Sequence, residues 1–144
     1  ALCEAYALTK IISVKDSDKA AAAKLAKRLA GLGFEILATS GTGKYFDERG
    51  IPVRRVNKVL EGRPHCVDAI KSGEVQLVIN TAEGAQSIAD SFSIRREALT
   101  DNIPHYTTMT GAAAAVAAIE ARRANAESGG LEVAPLQSYS NVSA

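Results

Sequence analysis

Short apolar runs alternate along this chain with longer stretches whose apolar residues recur at helical spacing. Lys10–Val14 (KIISV) reads as a buried strand. Ser17–Leu32 follows as a helix: Ser17 is placed to cap it, Asp18 suits its first turn, and Ala22, Leu25, Ala26 and Leu29 fall on one face. Gly31 and Gly33 mark its end. Phe34–Ala38 (FEILA) predicts a second strand, and a short helix runs from about Thr42 to Arg49 before Gly50 stops it. Val53–Val56 predicts a third strand, and Pro64 opens a helix reaching about Ser72. Val75–Ile79 (VQLVI) is apolar, β-branched and bounded by polar residues, so it predicts a fourth strand. Ser87–Leu99 predicts a helix, Ile103–Tyr106 a weakly patterned fifth strand, and Thr110–Arg123 an Ala-rich helix. Strand and helix in strict alternation imply an α/β fold: a single Rossmann-like, doubly wound parallel sheet of about five strands with helices on both faces.

Composition changes this picture only at its margins. Of the 144 residues, 47% are hydrophobic, which suits one core and one domain. The boundaries read as residues 10–124 for the folded domain, 1–9 for a lead-in and 125–144 for a partly flexible tail. Composition turns polar and Gly-rich from Asn125 to Gly130, and Leu131–Tyr139 reads as a segment that docks again in extended form. The formal net charge of +1 argues against a general nucleic-acid binder, although a local basic pocket is compatible with it. Cys3 and Cys66 form no CxxC pair, and no Cys/His cluster has zinc-ligand spacing, so the reading is two free thiols, no metal and a cytoplasmic setting. Ala1–Leu8 is neither a signal peptide nor a membrane span. The absence of an initiating Met fits a piece of a longer chain as well as a processed protein. The glycosylation pattern at Asn141 carries no weight without secretion.

Open parallel sheets bind ligands beyond the carboxyl ends of their strands. The predicted strands are followed in turn by Lys15–Lys19 (KDSDK), by Thr39–Gly43 (TSGTG), by Asn57-Lys58, by Asn80-Thr81 and by Thr107-Thr108. Each delivers hydroxyl, amide or ammonium groups to the same edge, and none delivers an isolated His–carboxylate pair. The ligand that fits is an anion. Lys19 and Lys58 supply charge, Thr39 and Thr42 supply hydroxyls, and Gly41 and Gly43 let backbone N–H groups approach at the opening of a helix. Asn80 suits a ribose hydroxyl or a base edge. Taken singly, Thr39 reads as a turn or cap residue, and Lys19 and Lys58 read as surface lysines; the case rests on their convergence.

Other motifs fail. Ala38–Tyr45 (ATSGTGKY) lacks the first Gly and the final Ser or Thr of a P-loop, and there is no GxGxxG. His65 suits capping or packing as well as proton transfer, and His105 reads as a half-buried structural residue. Arg95-Arg96 reads as a solvated helix face or a contact with a neighbouring domain.

Several stretches together resemble one known family: Ser13-Val14 with Asp18-Lys19; Gly33-Phe34-Glu35 running into Ala38–Thr42 (ATSGT); Val56–Val59 with Glu61–His65 (EGRPH); Ile79–Thr81; and Ile94–Arg96 with Ala98-Leu99. This combination resembles the C-terminal allosteric domain of the carbamoyl phosphate synthetase large subunit, whose fold is methylglyoxal synthase-like. The resemblance covers about Lys10 to Arg123. It implies an allosteric nucleotide monophosphate effector, UMP (an inhibitor in bacterial members) or IMP (an activator). It also implies, as partners, the remaining domains of the large subunit and its glutaminase small subunit, with no nucleic acid, membrane or cofactor. Carried over residue by residue, the effector phosphate positions are Lys19, Thr39, Thr42 and Lys58, and the ribose and base positions are Asn80 and Ser91. A further hydroxyl position of the family is Ala82 here. Thr107 matches one threonine of an ornithine site that lies mostly in a neighbouring domain.

Two enzyme relatives share that fold. Methylglyoxal synthase, acting on dihydroxyacetone phosphate, places its catalytic aspartate where this chain has Arg63, and Arg cannot serve as a proton acceptor. The purine-synthesis enzyme with IMP cyclohydrolase activity carries an Arg-Val-Lys-Thr-Leu-His-Pro stretch that is missing here. The reading is therefore a domain without catalytic residues. A methylglyoxal synthase-like lyase and a ligand-free oligomerisation module stand as its rivals.

Overall fold

The computed structural model describes residues 8–126 and Pro135. Five parallel strands form one sheet: β1 (Thr9–Ser13), β2 (Glu35–Thr39), β3 (Arg54–Val56), β4 (Val75–Asn80) and β5 (His105–Tyr106), in the order β3-β2-β1-β4-β5. Between and after them run α1 (Lys19–Gly31), α2 (Ser40–Asp47), α3 (Cys66–Lys71), α4 (Ala85–Thr100) and α5 (Met109–Ala126). The strand order reverses direction beside β1, which opens a crevice between the carboxyl ends of β1 and its neighbours.

The two-residue period of the strands divides the core between the faces. Ile12, Ile36, Ala38, Leu77 and Ile79 pack with Ala22, Leu25, Ala26, Leu29, Phe46, Ala112 and Val116 on one face. Ile11, Leu37 and Val78 pack with Val67, Ile70, Ile94 and Ala98 on the other. The register between β1 and β4 shifts at Thr9–Lys10, where Thr9 faces Val75 but Lys10 faces Leu77. The extra residue, Gln76, sends its side-chain oxygen to the Thr9 N–H at 2.7 Å.

Several expected boundaries move, for local reasons. Ser17 does not cap α1. It lies inside a single 3-10 turn, Asp16–Asp18, and the helix starts at Lys19 behind Asp18, with no side-chain cap. α2 begins at Ser40, directly after β2, rather than near Thr42. Thr39 occupies its N-cap position without capping, because its hydroxyl is taken by Ser13 Oγ at 2.9 Å. α3 starts two residues after Pro64. His65 caps it by accepting from the Asp68 N–H at 3.3 Å, and Asp68 returns a bond from the His65 N–H at 2.9 Å. Capping is thus the role His65 holds, and His105 is half-buried in β5. Cys66 is buried beside this cap, and burial pushes its thiol up to about 11. α5 continues to Ala126, two residues beyond the expected end of the domain. Cys3, the lead-in up to Ala7 and the segment expected to dock at Leu131–Tyr139 (Pro135 apart) lie outside the described residues. Among the described residues no helix is long and apolar enough to cross a membrane.

Candidate functional site

The carboxyl ends of β1, β2 and β4 are laced together by their polar residues. Ser13 Oγ meets Thr39 Oγ1 at 2.9 Å, joining β1 to β2. The Thr42 hydroxyl accepts from the Val14 N–H at 3.2 Å and donates to the Val14 carbonyl at 3.3 Å, fixing the first turn of α2 to the end of β1. Thr81 Oγ1 accepts from the Lys15 N–H at 3.1 Å, and the Thr81 N–H donates to the Ser13 carbonyl at 3.1 Å. These cross-links satisfy buried polar groups and make the edge a rigid frame.

In the crevice of that frame lies a cavity of about 100 Å³. Its walls take Lys19, Thr39, Gly41, Thr42 and Lys58 from the β1–β2–β3 side and Ser91 from α4. Pockets that enclose a drug-sized ligand run to about 300–1,000 Å³, so this one has room only for a group about the size of a phosphate.

The chemistry of the walls is cationic at one place. Lys19 Nζ stands over the start of α2: a β-carbon at Gly41 would lie 3.5 Å from it. Gly41 therefore keeps the ammonium and the first-turn backbone close together, and the N–H groups of that turn have no partners within the helix. Lys58 follows β3, with its backbone N–H donating to Glu61 at 2.8 Å, while Ser40 Oγ donates to the same Glu61 oxygen at 3.1 Å. Glu61 thus ties the Lys58 segment to the head of α2.

The structure brings Lys19, Thr39, Thr42, Lys58 and Ser91 to one cavity and leaves two other candidates outside it. Asn80 is buried behind the wall. Its amide donates to the Ser13 carbonyl at 3.2 Å, and its oxygen accepts from Arg95 Nε at 2.9 Å. Arg95 also donates to the Asn80 carbonyl at 3.2 Å, so only Arg96 keeps the solvated position expected of both arginines. Thr107 is exposed beyond β5, outside the cavity. The Thr42 hydroxyl donates to the Val14 carbonyl and must reorient before it donates to a ligand, whereas Thr39 can accept from Ser13 Oγ and keep its own proton free.

Of the polar wall residues, Ser13, Asp16, Ser87 and Asp90 were not among the candidate contacts of the sequence reading. Ser13 and Asp16 were in view as the end of a strand and the start of its loop. Ser87, Asp90 and Ser91 share one face of α4 at i, i+3 and i+4, a signal that becomes readable only once α4 is known to lean over the strand ends. Asp16 sits 2.6 Å from Lys19 Nζ, and this hydrogen bond, with the charges of Lys19 and Lys58, holds its carboxyl below the ordinary range.

Arg63, at the position of the lyase aspartate, is exposed and lies 3.8 Å from Asp68, away from the cavity. Among the described residues no group of three or more His, Cys, Asp or Glu stands together to hold a metal.

The MGS-like domain family matches residues 21–107. The carbamoyl phosphate synthase large chain of Mesorhizobium japonicum is 50% identical over 131 residues, covering 91% of this chain and 11% of that protein. That of Myxococcus xanthus is 51% identical over 133 residues, or 92% and 12%. That of Pseudomonas putida is 59% identical over 105 residues, or 73% and 10%. The chain spans about a tenth of the length of these relatives. The crystal structure of ForH superposes with a TM-score of 0.61 at 16% identity, over 78% of each chain, a likeness of fold alone.

Proposed function

The chain belongs to the MGS-like domain family, and from that premise we propose that it is the regulatory domain of a carbamoyl phosphate synthase, sensing UMP or IMP through the nucleotide's phosphate. The observation that carries this reading is the cavity, where two ammonium groups and an uncapped helix start meet at the carboxyl edge of the sheet. A phosphate monoester accepts many hydrogen bonds and carries nearly two charges at neutral pH. Lys19, Lys58 and the first-turn N–H groups of α2 supply both the donors and the charge. Thr39 joins them with its hydroxyl proton when Ser13 is the donor of their shared bond, and Thr42 joins once its hydroxyl turns from the Val14 carbonyl. Ser91 and its neighbours on α4 face the ribose and base at the mouth, where selection between a pyrimidine and a purine is loose.

The identities of about 50% to large chains support this assignment, and the partners it implies are the remaining domains of the large chain and the glutaminase small subunit, in the cytoplasm. Thr107, apart from the cavity, is the position from which a second effector such as ornithine would be contacted. The domain itself performs no chemistry in this reading. It transmits effector binding as a coupling free energy between the states of the larger enzyme.

Calorimetric titration with UMP, IMP and uridine at two salt concentrations tests the assignment. UMP or IMP should bind, more weakly at higher salt, and uridine should bind at least tenfold more weakly than UMP, since one charged hydrogen bond contributes about 1.5–3 kcal/mol. Uridine binding as tightly as UMP, or no binding of either nucleotide, overturns it.

A further inference from the structure

The cavity that gathers Lys19 and Lys58 also holds a carboxylate at its cationic end. Asp16 lies in the 3-10 turn between β1 and α1, and its side chain is 94% exposed, while that of Lys19 is 17% exposed. The carboxylate therefore reaches in from solvent to an ammonium held in place by the fold. It occupies Lys19 at 2.6 Å, a charge-assisted hydrogen bond of full strength in distance. Lys58 acts on the same carboxylate through its charge, so both cations of the cavity address Asp16. A phosphate placed between Lys19 and Lys58 would stand beside a like charge.

We infer that Asp16 is a displaceable counter-ion of the anion site, which holds Lys19 while the cavity is empty and swings into solvent when a phosphate enters. The inference rests on the proposed phosphate site and adds how that site is tuned. Because Asp16 is so exposed, leaving Lys19 costs it little desolvation or packing. Exchange of one anion for another keeps Lys19 neutralised in both states. The empty cavity is thereby a poorer trap for stray anions, and the effector affinity is set lower than two lysines and a helix start would otherwise give.

The test compares UMP and inorganic phosphate binding by calorimetry in wild type, Asp16→Asn, Asp16→Ser and Glu83→Gln. Glu83 is a control of equal charge: it pairs with Lys15 at 3.6 Å outside the cavity. Both Asp16 variants should bind UMP and phosphate about three- to tenfold more tightly, from loss of a competing exposed ion pair and a like charge. Glu83→Gln should match wild type within about twofold. Unchanged or weaker binding in the Asp16 variants, with wild type still binding UMP, would show that Asp16 is a spectator or positions Lys19, and it would leave the phosphate site standing. An equal gain from Glu83→Gln would reduce the effect to net charge and also overturn the inference. Failure of wild type and all variants to bind any phosphate removes the site itself, and the inference with it.

Discussion

A pair of cations stands out at each edge of the sheet, and the two pairs meet opposite surroundings. At the carboxyl edge Lys19 stands over the open N-terminus of α2, whose backbone N–H groups add to its positive field, and Lys58 lines the same cavity. At the amino edge Lys10 and Arg123 lie on the ring of Phe34, each 4.6 Å from its centre. Arg123 also donates to the Leu32 carbonyl just past the end of α1, where the helix dipole is negative. Positive charge at the amino edge is absorbed by an aromatic face, by the Leu32 carbonyl and, at Arg54, by the carboxylates of Glu35 and Glu74. Positive charge at the carboxyl edge is met instead by an exposed carboxylate, Asp16, 2.6 Å from Lys19 Nζ. The polarity of parallel βα units imposes this asymmetry, since strand ends meet helix starts on one side and helix ends on the other.

The largest expected effect comes from breaking the amino edge. Phe34 is nearly buried, and Phe34→Ala should cost about 3 kcal/mol or more of unfolding free energy in urea titration. UMP affinity per folded molecule should stay within about twofold, because Phe34 and the cavity lie at opposite ends of the strands. A large affinity loss at unchanged fold would mean that they are coupled.

Breaking the carboxyl edge should show the reverse pattern. Lys58→Ala should weaken UMP and IMP binding about tenfold or more, equivalent to roughly 1.5–3 kcal/mol for a charged hydrogen bond. Its unfolding free energy should stay within about 0.5 kcal/mol of wild type, since Lys58 is only half-buried and follows a strand. Unchanged affinity alongside a clear loss of stability would turn the contrast around.

The smallest effect concerns protonation at the amino edge. Burial, and then the charge of Arg123, hold the Lys10 ammonium below its ordinary value of 10.5. A base whose native value is lowered binds fewer protons folded than unfolded in that window, so its contribution to stability rises with pH there. Cys66 opposes it, because a thiol raised from 9.0 to about 11 contributes stability that is lost as pH climbs through that range. The Lys10→Met variant keeps Cys66, so the difference isolates Lys10. Wild type should gain on Lys10→Met as pH rises from 8 toward 10.5 in urea titrations. Parallel curves would show that burying this ammonium costs nothing.

Much of the candidate site was legible because position in an alternating α/β chain carries information. Once Lys10–Val14, Phe34–Ala38 and Val75–Ile79 are read as parallel strands, whatever follows them must share an edge, and Lys19, Thr39, Thr42 and Lys58 do line one cavity. Asn80 follows the same rule in sequence, yet its side chain does not line the cavity. Its amide bridges Ser13 and Arg95, a residue on α4 whose reach into the sheet has no signature in its own neighbourhood. Thr107 follows a two-residue edge strand and stays in solvent, because β5 lies one strand beyond the crevice.

Sequence alone determined the periodicity: which residues face the core, where the polar groups leave the strands, and that those exits lie on one side. These follow from spacing along one chain, because the periods of strand and helix are properties of the backbone. Only the tertiary structure decided which polar groups remain available to a ligand. The hydroxyls of Thr39 and Thr42 are engaged by Ser13 and Val14, the amide of Asn80 by Arg95, and the ammonium of Lys19 by Asp16. A hydrogen bond is satisfied over about 3 Å between groups as distant in sequence as Ser13 and Asn80, 67 residues apart, and no local pattern encodes such a meeting.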